Sequence, residues 1–398
     1  MRGMKRSAYR FLVLAALFAV AGLAACGGKD LRAPSGMMDS PEHHYRAGMH
    51  FLDTKDPIRA LEEFERALQL DPSYGPAVSG KGLAMAMTGE KKESLSRISD
   101  GRSAAKGPEE ELRSLVAQIR ANIALAQSGR LADEKLIAVC EDAYEDGRAI
   151  VKKHPQAEDP ALFFYMAEAY VQALSLDKAE AAFLLVVQAR RGMEDRAKER
   201  WEFVQKVRRA APETTVGKKI ALVEKLSRAD MAALLVEELQ FDRFFSRTQA
   251  PGAGTSFRSP EAQGAGNQET SISDVALHPL RTDVEIVAKY GVRGLTVFPD
   301  GSFKPDQPLA KAEVAMILEE IIVRAANDPS QATRFIGQDS PFSDVRPDHA
   351  FFNAAMLCTT RGLLSASGRS GQFGPMDPVA GVDALLAVKK LKSELRVF

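Results

Sequence analysis

The chain has 398 residues, enough for roughly two or three domains at about 150 residues each, and 45% apolar residues exclude a chain too polar to build cores. Charges balance at 53 basic and 53 acidic, and removing the first 25 residues with their four bases (Arg2, Lys5, Arg6, Arg10) leaves 49 against 53; nucleic acid is therefore excluded as a partner. Three cysteines, Cys26, Cys140 and Cys358, leave no room for a disulfide framework or a thiolate metal site, and the low aromatic content beside abundant Ala and Leu leans towards helix.

Residues 1–10 are basic and 11–21 are an unbroken apolar run, the pattern of a secretory signal and too short to span a bilayer. The run ends in Leu23-Ala24-Ala25-Cys26-Gly27, which resembles the lipobox of bacterial lipoproteins. The resemblance implies a signal peptide over 1–25, a diacylglycerol on the Cys26 thiol and cleavage just before it. More than one acyl chain at ~0.8 kcal/mol per buried CH₂ implies firm attachment to a membrane. Gly27, in place of Asp, implies the outer membrane if the cell is Gram-negative. Residues 26–40, rich in Gly, Ser, Pro and Met, read as a flexible tether.

Residues 41–74 carry Ala47-Gly48, Phe51, Ala60, Phe64, Ala67 and Pro72, the spacing of a tetratricopeptide repeat, which they resemble closely. Small residues at 48, 60 and 67 let two antiparallel helices approach, Phe51 and Phe64 fill the space between them, and Pro72 ends the second. A worn copy follows at 75–108, with Gly82, Ser94 and Ile98 at the key positions. A better copy begins near 160, with Ala167, Tyr170, Ala179 and Phe183. Between them, Leu112–Ala126 and Leu131–Lys153 have helical periodicity. The expected fold class is mostly α: a tetratricopeptide-like solenoid over 41–210, capped by Asp195–Ala210, then further helical modules. His43 and His44 have no third ligand at helical spacing and read as a solvated helix start.

Residues 246–271 are rich in Gly, Ser, Gln and Pro and read as a disordered linker. After them one pattern occurs twice, about 70 residues apart. The first copy runs Ser273-Asp274-Val275, Gly291-Val292, Phe298-Pro299-Asp300-Gly301-Ser302-Phe303, then Pro308-Leu309-Ala310-Lys311-Ala312-Glu313. The second runs Phe342-Ser343-Asp344-Val345, Gly362-Leu363, Gly371-Gln372-Phe373, then Pro378-Val379-Ala380-Gly381-Val382-Asp383. Both resemble the S-layer homology module, specifically over 272–326 and more loosely over 341–395. Leu226-Ser227-Arg228-Ala229-Asp230 matches that family's last motif, so 211–245 reads as a truncated module, with Arg200–Arg209 a candidate leading helix. Local chemistry alone makes Asp274 and Asp344 helix caps, Ser227 with Asp230 a capping box, and Glu313 an acid favoured by a helix dipole.

The S-layer resemblance implies grooves between modules that bind anionic cell-wall glycan through the basic residue of the last motif. The matching positions here are Arg228, Lys311 and Gly381, so at most two grooves keep the base. Arg228, Lys311, Glu313 and Asp230 are the candidate glycan-binding residues, against a plain role for each in a helix first turn. The resulting expectation is a non-catalytic, lipid-anchored cell-envelope protein needing no cofactor or metal. It would bind cell-wall polysaccharide or peptidoglycan through the modules and an unidentified protein through the repeat groove, acting as tether or adaptor. The alternative is a scaffold or assembly lipoprotein whose modules are purely structural. Nucleophile-elbow, zincin, phosphate-loop and dinucleotide motifs are all missing, so the sequence does not read as an enzyme.

Overall fold

The computed structural model describes residues 32–36, 38–241, 272–366 and 370–395. The expected signal peptide, Cys26 and the linker at 246–271 lie outside the described residues. Among the described residues the chain is mostly α, with fifteen α-helices, no strands and two isolated β-bridges. It divides into two compact units, with the boundary between Trp201 and Glu202.

The first unit is a solenoid-like stack of antiparallel helices. They are α1 (Pro41–Asp53), α2 (Pro57–Leu70), α3 (Gly75–Met87), α4 (Lys91–Ser103), α5 (Pro108–Gln127), α6 (Asp133–Lys153), α7 (Pro160–Gln172) and α8 (Leu176–Ala189). A ninth, α9 (Glu194–Ala210), contains the boundary between the units. Proline stands in the first turn of α1, α2, α5 and α7, where its missing N–H is no loss. Ser40 and Asp56 cap the first two helices by accepting from His43 N and Arg59 N.

Packing follows the small-and-aromatic pattern of the sequence. A Cβ on Gly48 would stand 2.6 Å from the Phe64 ring, so only glycine lets α1 lie this close to α2. Phe64, Ala60 and Ala67 are wholly buried, as are Phe183, Ala167 and Ala179 in the later copy. Each such phenylalanine contributes about 1.5–3 kcal/mol by burial. In the worn copy Ser94 and Ile98 are buried at the places of Ala and Phe. Two aromatic assignments need correction. Phe51 and Tyr170 are only half-buried, because their register falls at the edge of the helix pair. Arg59 covers the Phe51 ring at 5.8 Å, and the Tyr170 hydroxyl reaches Glu141. The neighbouring Leu52 takes the core position.

The start of the unit also departs from expectation. His44 is not solvated. Its Nδ1 lies 2.6 Å from a Glu63 carboxylate oxygen on α2, and its Nε2 lies 2.8 Å from Asp39. Asp39 in turn accepts from the main chain and hydroxyl of Ser35 and from Arg32, while the Arg32 amide donates to the carbonyl of Gln69 on α2. These donors, the Ser35 amide foremost, hold the Asp39 carboxyl far below the usual carboxylate range.

The second unit holds α10 (Thr215–Ala221), α11 (Arg228–Ala233, continued by a π-turn over Leu234–Glu238), α12 (Arg281–Tyr290), α13 (Lys311–Ala326), α14 (Phe352–Thr360) and α15 (Gly381–Leu395). Its core gathers Leu226, Leu235, Val284, Phe303, Ile317, Phe373 and Leu385, each almost fully buried. Glu238 is completely buried but satisfied: it accepts the Glu213 and Thr214 amides and the Thr214 hydroxyl, and pairs with Lys389 at 3.2 Å.

Lys389 and Lys392 of α15 also hold Glu213, at 2.7 and 3.1 Å, and draw its carboxyl down to about 2. A depressed carboxyl contributes stability above its unfolded value, lost as the pH falls towards its folded one. The second unit is therefore expected to weaken between about pH 4.5 and pH 2. Glu213→Gln should flatten that part of a melting-temperature profile against pH.

Both cysteines outside the N-terminus are buried and free. Burial pushes the Cys140 thiol up to about 12 and moves Cys358 in the same direction. Neither is expected to take up iodoacetamide at pH 8 until denaturant is added, as intact mass would show.

Candidate functional site

Cys26 lies outside the described residues, whereas the candidate glycan-binding residues Arg228, Asp230, Lys311 and Glu313 all fall in the second unit, at the starts of two of three helices that close into a ring. Leu226, Leu309 and Val379 precede α11, α13 and α15. The Leu226 amide donates to Val379 O and the Leu309 amide to Leu226 O, both at 2.8 Å. Further main-chain bonds repeat from seam to seam. Arg228 N and Ala229 N donate to Gln307 O and Pro305 O, as Lys311 N and Ala312 N donate to Asp377 O and Pro375 O. The isolated bridges Ser227–Pro308 and Ala310–Pro378 fall in the same two seams. The segment around 226–230 thus takes the same place in the ring as the two fuller copies.

Each seam treats its basic position differently. Arg228 is 4% exposed. Its guanidinium donates to three main-chain carbonyls: Phe303 O at 2.8 Å, Gly294 O at 2.6 Å and Thr296 O at 2.9 Å. It also lies over the Phe298 and Phe303 rings, at 4.9 and 4.7 Å. Burial lowers its proton affinity, and the charges of Glu313 and Asp274 partly restore it. Lys311 does the same work one seam on. Its ammonium donates to Ser365 O and Phe373 O, at 2.6 and 2.7 Å, over the Phe373 ring. Burial shifts it downwards too, against Asp377, Asp383 and Asp344.

The third seam has no base, for a steric reason. A Cβ on Gly381 would stand 1.7 Å from the carbonyl oxygen of Ile220, at the end of α10. The Gly381 amide donates to Val223 O at 2.8 Å. Main chain of α10 and the turn after it therefore leaves no room for any side chain at the position whose counterparts in the other two seams are basic.

The acids have local roles. Asp230 accepts from the Ser227 amide and hydroxyl, and its own amide donates to the Ser227 hydroxyl, completing the expected capping box. Glu313 accepts from the Ala310 amide at 2.7 Å. Asp274 and Asp344 differ from expectation, since neither caps a helix. Asp274 accepts the Phe303 and Lys304 amides, and Asp344 the Phe373 and Gly374 amides, at 2.7–2.8 Å. They pin the turn of each copy to its opening motif.

The first unit offers a second candidate face, on its odd-numbered helices. Arg113 of α5 donates to Glu42 of α1 and to the Tyr74 hydroxyl, and lies over the Tyr45 ring at 5.4 Å. Tyr74 also donates to Glu42. Further along, Arg120 donates to Asp53 at 2.7 Å and covers Tyr165 at 4.5 Å, while the Tyr165 hydroxyl and Arg196 also approach Asp53. Side chains thus strut α1 directly to α5, α7 and α9. The sequence reading missed this network, because its partners lie on different helices; the only signal was Tyr or Arg at one face of several helices in turn.

Among the described residues no group of three His, Cys, Asp or Glu side chains is placed to hold a metal ion, and no helix is long and apolar enough to cross a membrane. Comparison with protein-family models, curated proteins and solved structures finds no match for this chain.

Proposed function

We propose that the chain is a non-catalytic, lipid-anchored scaffold of the bacterial cell envelope, holding a protein partner on its repeat unit, with S-layer-like modules that serve structure. The reading of Cys26 as a lipid site rests on the lipobox resemblance. The observation that favours scaffold over glycan tether is the state of Arg228: three carbonyls take up its guanidinium, and it is 4% exposed. With three of its five N–H groups taken and the side chain buried, this guanidinium is not presented as an open fork to a carboxylate from solvent. Lys311 is engaged in the same way.

The tether to cell-wall polysaccharide or peptidoglycan stays as the second reading, on one observation. Lys304 is exposed, with its ammonium 4.4 Å over the half-buried Phe298 ring, a cation and an aromatic edge beside the first seam. The test is co-sedimentation of the full-length chain with isolated cell walls, beside in-cell photo-crosslinking from position 49 on α1. The scaffold reading expects no pelleting with walls stripped of membrane, and one discrete crosslinked partner. Pelleting that Lys304→Ala abolishes would establish the tether instead.

A further inference from the structure

We infer that the segment holding Arg32, Ser35 and Asp39 is a strap clipped onto the first helix pair by Asp39 and His44, so that the lipid anchor holds the repeat unit close to the bilayer. The inference rests on the lipid-anchored reading of Cys26 and goes beyond it.

The clip has two tiers. His44, on α1, stands between Asp39 of the strap and Glu63 of α2, and Glu63 also holds Arg66. Asp39 gathers Arg32 and Ser35 of the strap itself, while the Arg32 amide bonds the carbonyl of Gln69 near the end of α2. The side chains of Asp39, His44 and Glu63 are only 10–13% exposed, so water competes weakly for these bonds.

The consequence is one of reach. A tether of residues 26–40, as composition suggests, would extend to about 50 Å at full stretch. With the Arg32 amide fixed to α2, the chain between Cys26 and that fixed point can span about 20 Å at most, whatever its conformation. The first helix pair is thereby confined to the neighbourhood of the bilayer, and a partner held on it sits at the membrane surface.

The test uses the lipidated full-length chain with Glu62→Cys on α2, labelled with a donor dye and bound to vesicles containing an acceptor headgroup lipid. Labelling is selective because Cys140 and Cys358 are buried. Energy transfer should be high in this protein and fall clearly in Asp39→Asn and His44→Ala. In the same samples, hydrogen exchange at the Ser35 amide should quicken by about tenfold. Ser35→Ala, which alters no helix, should give an intermediate result and guards against a folding defect in the other two. Equal transfer and equal exchange in all forms would overturn the strap. Failure to float with vesicles, with Ser35 still protected, would overturn the membrane placement along with the lipid reading and leave the clip itself standing.

Discussion

Gly381→Ala is expected to lower the melting temperature of the second unit by roughly 6–12 °C, the equivalent of about 3 kcal/mol in a domain of this size. The added carbon would overlap the Ile220 carbonyl oxygen, 1.7 Å away. That oxygen is main chain at the end of α10, so no rotamer change relieves the clash. Either α10 or the start of α15 has to shift, and the Gly381 N–Val223 O bond goes with it. Differential scanning calorimetry would read the effect. An unchanged transition would mean that the seam between the first and last segments is not closed as described. Gly381→Arg, which places a base at the position equivalent to Arg228 and Lys311, should be worse than alanine.

Arg228→Ala is expected to destabilise the same unit by about 3 kcal/mol, since it empties a buried side-chain position and leaves the Phe303 carbonyl buried and the part-buried Gly294 and Thr296 carbonyls without their donor. Arg228→Lys should recover part of the loss, because Lys311 already shows an ammonium bonding two carbonyls in the equivalent seam. Urea unfolding of the three proteins would rank them. If Arg228→Ala were as stable as the parent, the guanidinium would be free for another role and the glycan reading would gain. The prediction also bears on wall-binding experiments. A variant lacking Arg228 would lose binding through a loosened seam whether or not the arginine touches glycan, so Lys304→Ala is the more informative change.

The helical class, the proline-opened repeat helices and the small-residue contacts were legible because each depends on residues close in sequence. Gly48 facing Phe64 and the Ser227–Asp230 capping box are of this kind. What escaped depends on distant partners. Asp274 was assigned to a helix start from its neighbours, but its partners are amides at 303 and 304. His44 looked solvated because Asp39 is on a loop and Glu63 is on another helix. The motif shows only that Gly381 lacks the base, and the carbonyl of Ile220 that requires glycine there lies far upstream. For Arg228, nothing local distinguishes a guanidinium presented to a ligand from one that binds main-chain carbonyls.

The closed ring of the second unit has a kinetic consequence. Its final seam joins main chain near 225 to main chain near 380, so almost the whole unit must be present before that seam can form. Contacts between such distant positions carry a large loop-closure cost and slow the search for the native arrangement. Until α15 docks, α11 and α13 expose apolar faces that the finished lobe hides. Late closure of this kind makes the last helix count for more than its small share of the chain suggests.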